Sequence, residues 1–308
     1  MKTITKIIYS AFAVVILTLG ALTANGAPGD LFVSINGSGQ NGAGSIYRYR
    51  PTGLFRIVTS GLSEPRGVAF NRGGVLFVAN TTFDAFGMGH GTIVKITPIG
   101  GQSTVATVPG DSVFLEGVAF DSAGNLFVMA IDLNDPNDAS TIYKITHGGV
   151  ISTFGSTPGQ GFGLAFDSAG NLFAADAGLA DNTGQTIWKF TPDGTRSVFA
   201  GQSSFNPGHS PVGLAFDSFG NLFATEGHDI GVPGGDERIL KFTPDGMESE
   251  FATGLTEPRG LAFDTSGNLF VTDNVFQPSG DILKFTPDGM HTLFASGIAG
   301  PAFLAFQR

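Results

Sequence analysis

The stretch Gly163-Leu-Ala-Phe-Asp-Ser-Ala-Gly-Asn-Leu-Phe173 decides how the chain is read. A short apolar run, Gly-Leu-Ala-Phe, meets Asp-Ser-Ala-Gly-Asn and then a second apolar run that opens Leu-Phe. The five residues between are turn chemistry: Asp bonds backbone amides just ahead of it, and Gly supplies a positive φ. Two such runs about a tight turn predict a pair of antiparallel strands. Further on, Thr186-Ile-Trp-Lys-Phe-Thr-Pro-Asp-Gly194 predicts a third strand ending in another turn, and Ser197-Val-Phe-Ala200 predicts a fourth.

The unit recurs. Leu-Phe pairs stand at Leu31-Phe32, Leu76-Phe77, Leu126-Phe127, Leu172-Phe173, Leu222-Phe223 and Leu269-Phe270, spaced 45 to 50 residues apart. The four strands are labelled A, Gly-(Val/Leu)-Ala-Phe; B, Leu-Phe-(Val/Ala); C, Thr-Ile-x-Lys-(Phe/Ile); and D, ending near a Phe. Asp121, Asp167, Asp217 and Asp264 open A–B turns, and Asp193, Asp245 and Asp288 sit in C–D turns of the form Thr-Pro-Asp-Gly. Their repetition marks these seven carboxylates as turn formers rather than catalysts. Of 29 Phe, twenty fall at repeat positions and are expected to pack between sheets. A four-stranded unit of about 45 residues repeated radially predicts an all-β fold, a β-propeller. The first unit opens at strand B with Asp30-Leu31-Phe32, and the last residues, Pro301 to Phe306, form a strand A with no partner after it. Together they complete one blade. The prediction is six blades, closed by the C-terminal strand pairing with the N-terminal one, which removes exposed sheet edges.

Composition bounds the rest. The 308 residues include 16 Lys+Arg, 26 Asp+Glu and no Cys, for a net charge of −10. The apolar content excludes a disordered chain. The acidic balance argues against nucleic acid, whose phosphates need basic residues. Without Cys there is no disulfide, thiol nucleophile or thiolate metal site. Lys2 and Lys6 precede an apolar run, Ile7 to Leu22, and small residues through Ala27. This order reads as a secretory signal, residues 1–26, too short to span a bilayer. The expected product is residues 28–308, secreted or periplasmic, monomeric, and off the membrane once the signal is cleaved.

The unit Pro258-Arg-Gly-Leu-Ala-Phe-Asp-Thr-Ser-Gly-Asn-Leu-Phe-Val-Thr-Asp273, followed by Ile282-Leu-Lys-Phe-Thr-Pro-Asp-Gly289, resembles an NHL repeat, and the resemblance covers about residues 28–308. It implies a propeller used as a binding scaffold, a sensor domain or an enzyme. The acidic residue that ends strand B in such repeats is Asp176, Glu226 and Asp273 here, with Asn80 as a relative; Ile35 and Ala130 depart from it. More distantly the chain is similar to the regucalcin/gluconolactonase family, which implies a divalent metal in the central channel held by Glu, Asn and Asp. That family sets Asn directly before the strand A Gly, where this chain has Arg66, Glu116, Phe162, Val212 and Arg259. Thr225-Glu-Gly-His228 is similar to a unit of the streptogramin lyase family, which implies His and Glu near a magnesium ion and makes His228 a candidate catalytic group.

The A–B and C–D turns are alike, whereas the B–C and D–A connections differ and share one face. Variation against a repeated background marks the face free to carry function. Asn80, Asp176, Glu226 and Asp273 end strand B, and Glu116 precedes a strand A near the axis. If they converge, these five oxygen-bearing residues suit Ca2+ or Mg2+; otherwise each caps its own blade. Asp132-Leu-Asn-Asp-Pro-Asn-Asp138 reads as a calcium loop or an Asx-rich turn. Arg66 and Arg259 could bind an anionic ligand or pair with nearby carboxylates. His90, His209 and His228 lie on the variable face, as do Phe83, Phe86, Phe114, Phe162, Phe205 and Phe276. Asn36-Gly-Ser and Asn80-Thr-Thr fit the glycosylation pattern. The reading is a secreted binding or scaffold module that holds a protein, glycan or small ligand on this face. The alternative is a metal-dependent hydrolase or lyase at the channel mouth.

Overall fold

The computed structural model describes residues 29–36, 41–136, 139–179, 183–228, 236–273 and 279–307; of His228 it describes the backbone alone. The expected signal segment lies outside these residues, and no helix among them is long and apolar enough to cross a membrane. Among the described residues the chain forms six four-stranded antiparallel sheets, the blades of a six-bladed β-propeller, with one short 3-10 turn at Gln202–Ser204.

Blade 1 is the shared one. Its inner strand Pro301–Phe306 pairs with Leu31–Ile35, which continues to Gly44–Tyr49 and Phe55–Leu62. The register sets Phe306 opposite Leu31 and Leu304 opposite Val33, so the two ends of the sequence close the ring as expected. Blades 2 to 6 follow in chain order, with innermost strands Glu64–Phe70, Val113–Phe120, Gly161–Phe166, His209–Phe216 and Leu261–Phe263.

The core is six buried apolar clusters, one at each blade-to-blade interface. Strand B is covered on both faces, which is why it reads as an unbroken apolar run: Phe173 packs toward blade 5 while Leu172 and Ala174 pack toward blade 3. The Phe of each strand A meets the strand B Phe of the preceding blade edge to face, as in Phe216 on Phe173 and Phe306 on Phe270, with centroids 5.0 Å apart in both. In blades 3 to 6 a strand D Phe and a strand C Lys close on the same strand B ring, Phe199 and Lys189 on Phe173 for example. Each buried ring contributes about 2–3 kcal/mol through the apolar surface it removes from water.

The repeated carboxylates form turns, as expected. In the A–B turns Asp121, Asp167, Asp217 and Asp264 each accept two backbone N–H bonds on Oδ1 and one from the following Asn on Oδ2.

Candidate functional site

Strand A carries a β-bulge that aims side chains at the axis. In blade 2, Pro65 opposes Asn80 and Val68 opposes Val78, so Arg66 and Gly67 together face Ala79. Blade 3 repeats this with Glu116-Gly117, blade 4 with Phe162-Gly163 and blade 5 with Val212-Gly213. A bulge re-aims the residue it inserts. The Gly beside it is required by close approach: a Cβ on Gly67 would stand 2.3 Å from the Glu116 carbonyl oxygen, and one on Gly213 2.1 Å from that of Arg259. Each inner strand therefore abuts the next, and the residue before the Gly is turned toward the channel.

In blades 1, 5 and 6 a strand B hydroxyl fastens neighbours together. Thr225 accepts from Gly213 N and donates to Arg259 O, at 2.7 and 2.8 Å. Thr272 accepts from Gly260 N at 2.9 Å and donates to Ala302 O at 2.8 Å. Ser34 accepts from Phe303 N at 3.0 Å and donates to Arg66 O at 2.6 Å, so it ties the closing strand to blade 2.

At the loop end of the channel the bulges of blades 2 and 3, with the segment just before the inner strand of blade 6, bring together Arg66, Glu116 and Arg259. Arg259 Nη2 donates to Glu116 Oε1 at 2.8 Å, and Arg66 Nη1 stands 3.6 Å from the same oxygen. Arg66 Nε lies 3.8 Å from Glu64 Oε2. The Glu116 and Arg259 side chains are 3% and 7% exposed. Phe rings complete the cluster: Arg66 lies over Phe114, and Arg259 over Phe162 and Phe303, at 4.9, 5.3 and 5.8 Å. Burial and the charge of Arg66 push the Arg259 guanidinium down to about 10, against the opposing pull of Glu116. Glu116 Oε2 is buried and makes no hydrogen bond among the described residues.

The other expected oxygen ligands do not join this cluster. Each one pins the D–A connection entering its own blade. Asn80 Oδ1 accepts from Ser63 N at 2.9 Å. Asp273 Oδ1 accepts from Thr256 N and Glu257 N, at 3.1 and 2.8 Å. Glu226 accepts from Asn206 N and from Arg238 Nε. Asp176 accepts from Gly178 N and Trp188 Nε1, at 2.9 and 2.8 Å. Burial pushes the Asp176 carboxyl up, against these hydrogen bonds and one from Gly159. Asn80, one of the two glycosylation matches, is buried.

The resemblance to metal-holding propellers invites a test of fit. Among the described residues no group of three or more His, Asp or Glu could hold a metal ion. At the axis the shared carboxylate oxygen already faces two guanidiniums, and a dication placed there would meet both. The donor set does not fit Ca2+ or Mg2+.

The remaining candidates are dispersed. His228 ends strand B of blade 5 with its backbone opposite His209, and its side chain lies outside the described residues. His209 is buried, with Nε2 3.4 Å from Asp236, and the half-exposed His90 lies 3.5 Å from Asp84. Phe205 packs into the core while Phe86 is exposed. Phe276 and the end of the 132–138 loop lie outside the described residues; within that loop Asp132 Oδ1 accepts from Asn134 N at 2.9 Å.

One feature that the sequence reading missed lies at the other end of strand A. There the channel is a well of about 660 Å3 walled by Ala69, Phe70, Phe166, Phe216, Phe263 and Phe306. It adjoins a hollow of about 480 Å3 bordered by the A–B turns. The end of the ring that carries the uniform A–B turns therefore holds an open well. The only signal was the alternation of Ala and Phe in strand A, and packing explains that equally well.

No protein-family model matches the sequence. No curated protein matches it either. Solved structures do. The chain is similar to a periplasmic gluconolactonase from Pseudomonas aeruginosa, with a TM-score of 0.60 and 17% identity over 92% of this chain and 99% of that one. A gluconolactonase from Xanthomonas campestris gives 0.58 and 15% over 81% and 84%. A catalytically inactive virginiamycin B lyase from Staphylococcus aureus, solved with quinupristin, gives 0.50 and 16% over 79% and 92%. At these identities the likeness shows the fold.

Proposed function

We propose that the loop end of the channel is the working site, and that it handles a small polar molecule by hydrolase or lyase chemistry of the lactone-opening kind. One observation carries this reading: Glu116 presents a buried oxygen without a hydrogen bond beside two guanidiniums, where the inner strands converge. Such an oxygen is an acceptor for a hydroxyl or a water proton, the role of a general base. Guanidiniums at the same point stabilise negative charge that develops on a carbonyl oxygen. The similarity in fold to gluconolactonases and to a virginiamycin B lyase supports the class. Export to the periplasm or medium, from the signal segment, belongs to the same proposal.

The test is a panel of small lactones and esters, with the wild type compared with Glu116→Gln. The expected outcome is turnover of at least one lactone that falls about 10²–10⁴-fold in the variant, assayed well below the variant's own melting transition. Equal turnover by both proteins, or none across the panel, contradicts it. A second reading, a binding module for a protein or glycan, is favoured by the four strand B termini that fix the D–A connections and so stiffen the variable face. Saturable glycan or peptide binding that is lost on loop substitution, without turnover, selects that reading.

A further inference from the structure

Blades 3 and 6 stand opposite one another in the ring, so the contact of Arg259 with Glu116 crosses the channel. Arg259 belongs to blade 6 and Glu116 to blade 3. The guanidinium also lies over Phe162 of blade 4 and Phe303 of blade 1, so one side chain touches three other blades. It is buried, and Glu116 shares a single oxygen between it and Arg66 of blade 2. Phe303 itself departs from the repeat, because it stands where the other five inner strands have Gly. Its ring adds to the floor on which Arg259 rests.

We infer that Arg259 is a resident cation: a strut that ties blade 6 to blade 3 through Glu116, fills the axis with a guanidinium, and leaves the channel mouth with no call for a metal ion. The pieces are complementary. Glu116 supplies the negative charge, the Phe rings supply faces on which a guanidinium stacks, and the bulges supply the direction. A divalent ion would have to displace Arg259 and accept Glu116, with Glu64 held beside Arg66, in place of an oxygen cage. The strut stands whether or not the site turns over a substrate, so an inactive protein leaves it intact.

The test is thermal melting. Wild-type protein dialysed against EDTA is melted alone and with millimolar Ca2+ or Mg2+; neither ion is expected to move the transition. Arg259→Ala is expected to melt lower by roughly 5–10 °C, the scale of breaking a buried ion pair in a domain of this size. Methylguanidinium is expected to restore part of that loss, with no effect on the wild type. Arg259→Lys keeps the charge but loses the planar stack and is expected to fall between. A wild-type transition raised by Ca2+ or Mg2+, with the gain lost in Glu116→Gln, overturns the inference. So does an Arg259→Ala protein that melts as the wild type does. Should Arg259→Ala fail to fold, the metal titration of the wild type still decides.

Discussion

At the residue scale, the molecule separates carboxylates that look alike by what lies around them. Asp176 is buried, and burial raises its pKa against the hydrogen bonds it accepts. A carboxyl whose folded pKa exceeds its unfolded one binds its proton more tightly in the folded state. Its stabilising contribution is present at low pH and is lost as pH rises through the folded value. Between about pH 4 and pH 7 the wild type should therefore lose stability relative to Asp176→Asn as pH rises. Melts of the two proteins across that range check this, and a constant difference contradicts it. Thr225 offers a second test. Its hydroxyl is fully buried between Gly213 N and Arg259 O, and Thr225→Val leaves both without it. The expected cost is about 1–3 kcal/mol for each backbone group left unpaired, read from urea unfolding.

At the element scale, the strands and turns were legible because repetition separates signal from noise. Asp217 alone could pass for a catalytic acid; Asp121, Asp167, Asp217 and Asp264 at one offset could not. Asp217→Ala removes three local hydrogen bonds and is expected to cost about 1–2 kcal/mol in urea unfolding, with any activity unchanged. The site was legible only in its parts. Arg66, Glu116 and Arg259 could each be picked out at the position before the strand A Gly. Nothing in the spacing says that Arg259 reaches Glu116 across the ring, because that contact joins residues 143 apart and depends on how six blades close. The four polar strand B termini drew the eye toward a shared ligand, yet each had a nearer backbone amide to satisfy. The pull of a local N–H won over convergence, since a buried carboxylate accepts the closest donor.

At the scale of the whole molecule, closure makes six similar blades into one cooperative body with a defined axis. Deleting residues 301–308 strips blade 1 of its inner strand and exposes the edge of Leu31–Ile35. It also removes Phe303 from beneath Arg259. The expected result is loss of the single sharp melt and association through the open edge, read by calorimetry and size-exclusion chromatography. A truncated protein that stays monomeric and melts sharply would show that the ring needs no such clasp. On the proposed reading, the axis of this ring holds a working site built from Glu116 and two arginines, with no metal. Its most direct test is lactone turnover by EDTA-dialysed wild-type protein beside Glu116→Gln under the same conditions. Turnover is expected to persist in EDTA and to collapse in the variant. Turnover that stops in EDTA and returns with Ca2+ or Mg2+, or that survives the loss of the Glu116 carboxylate, would contradict it.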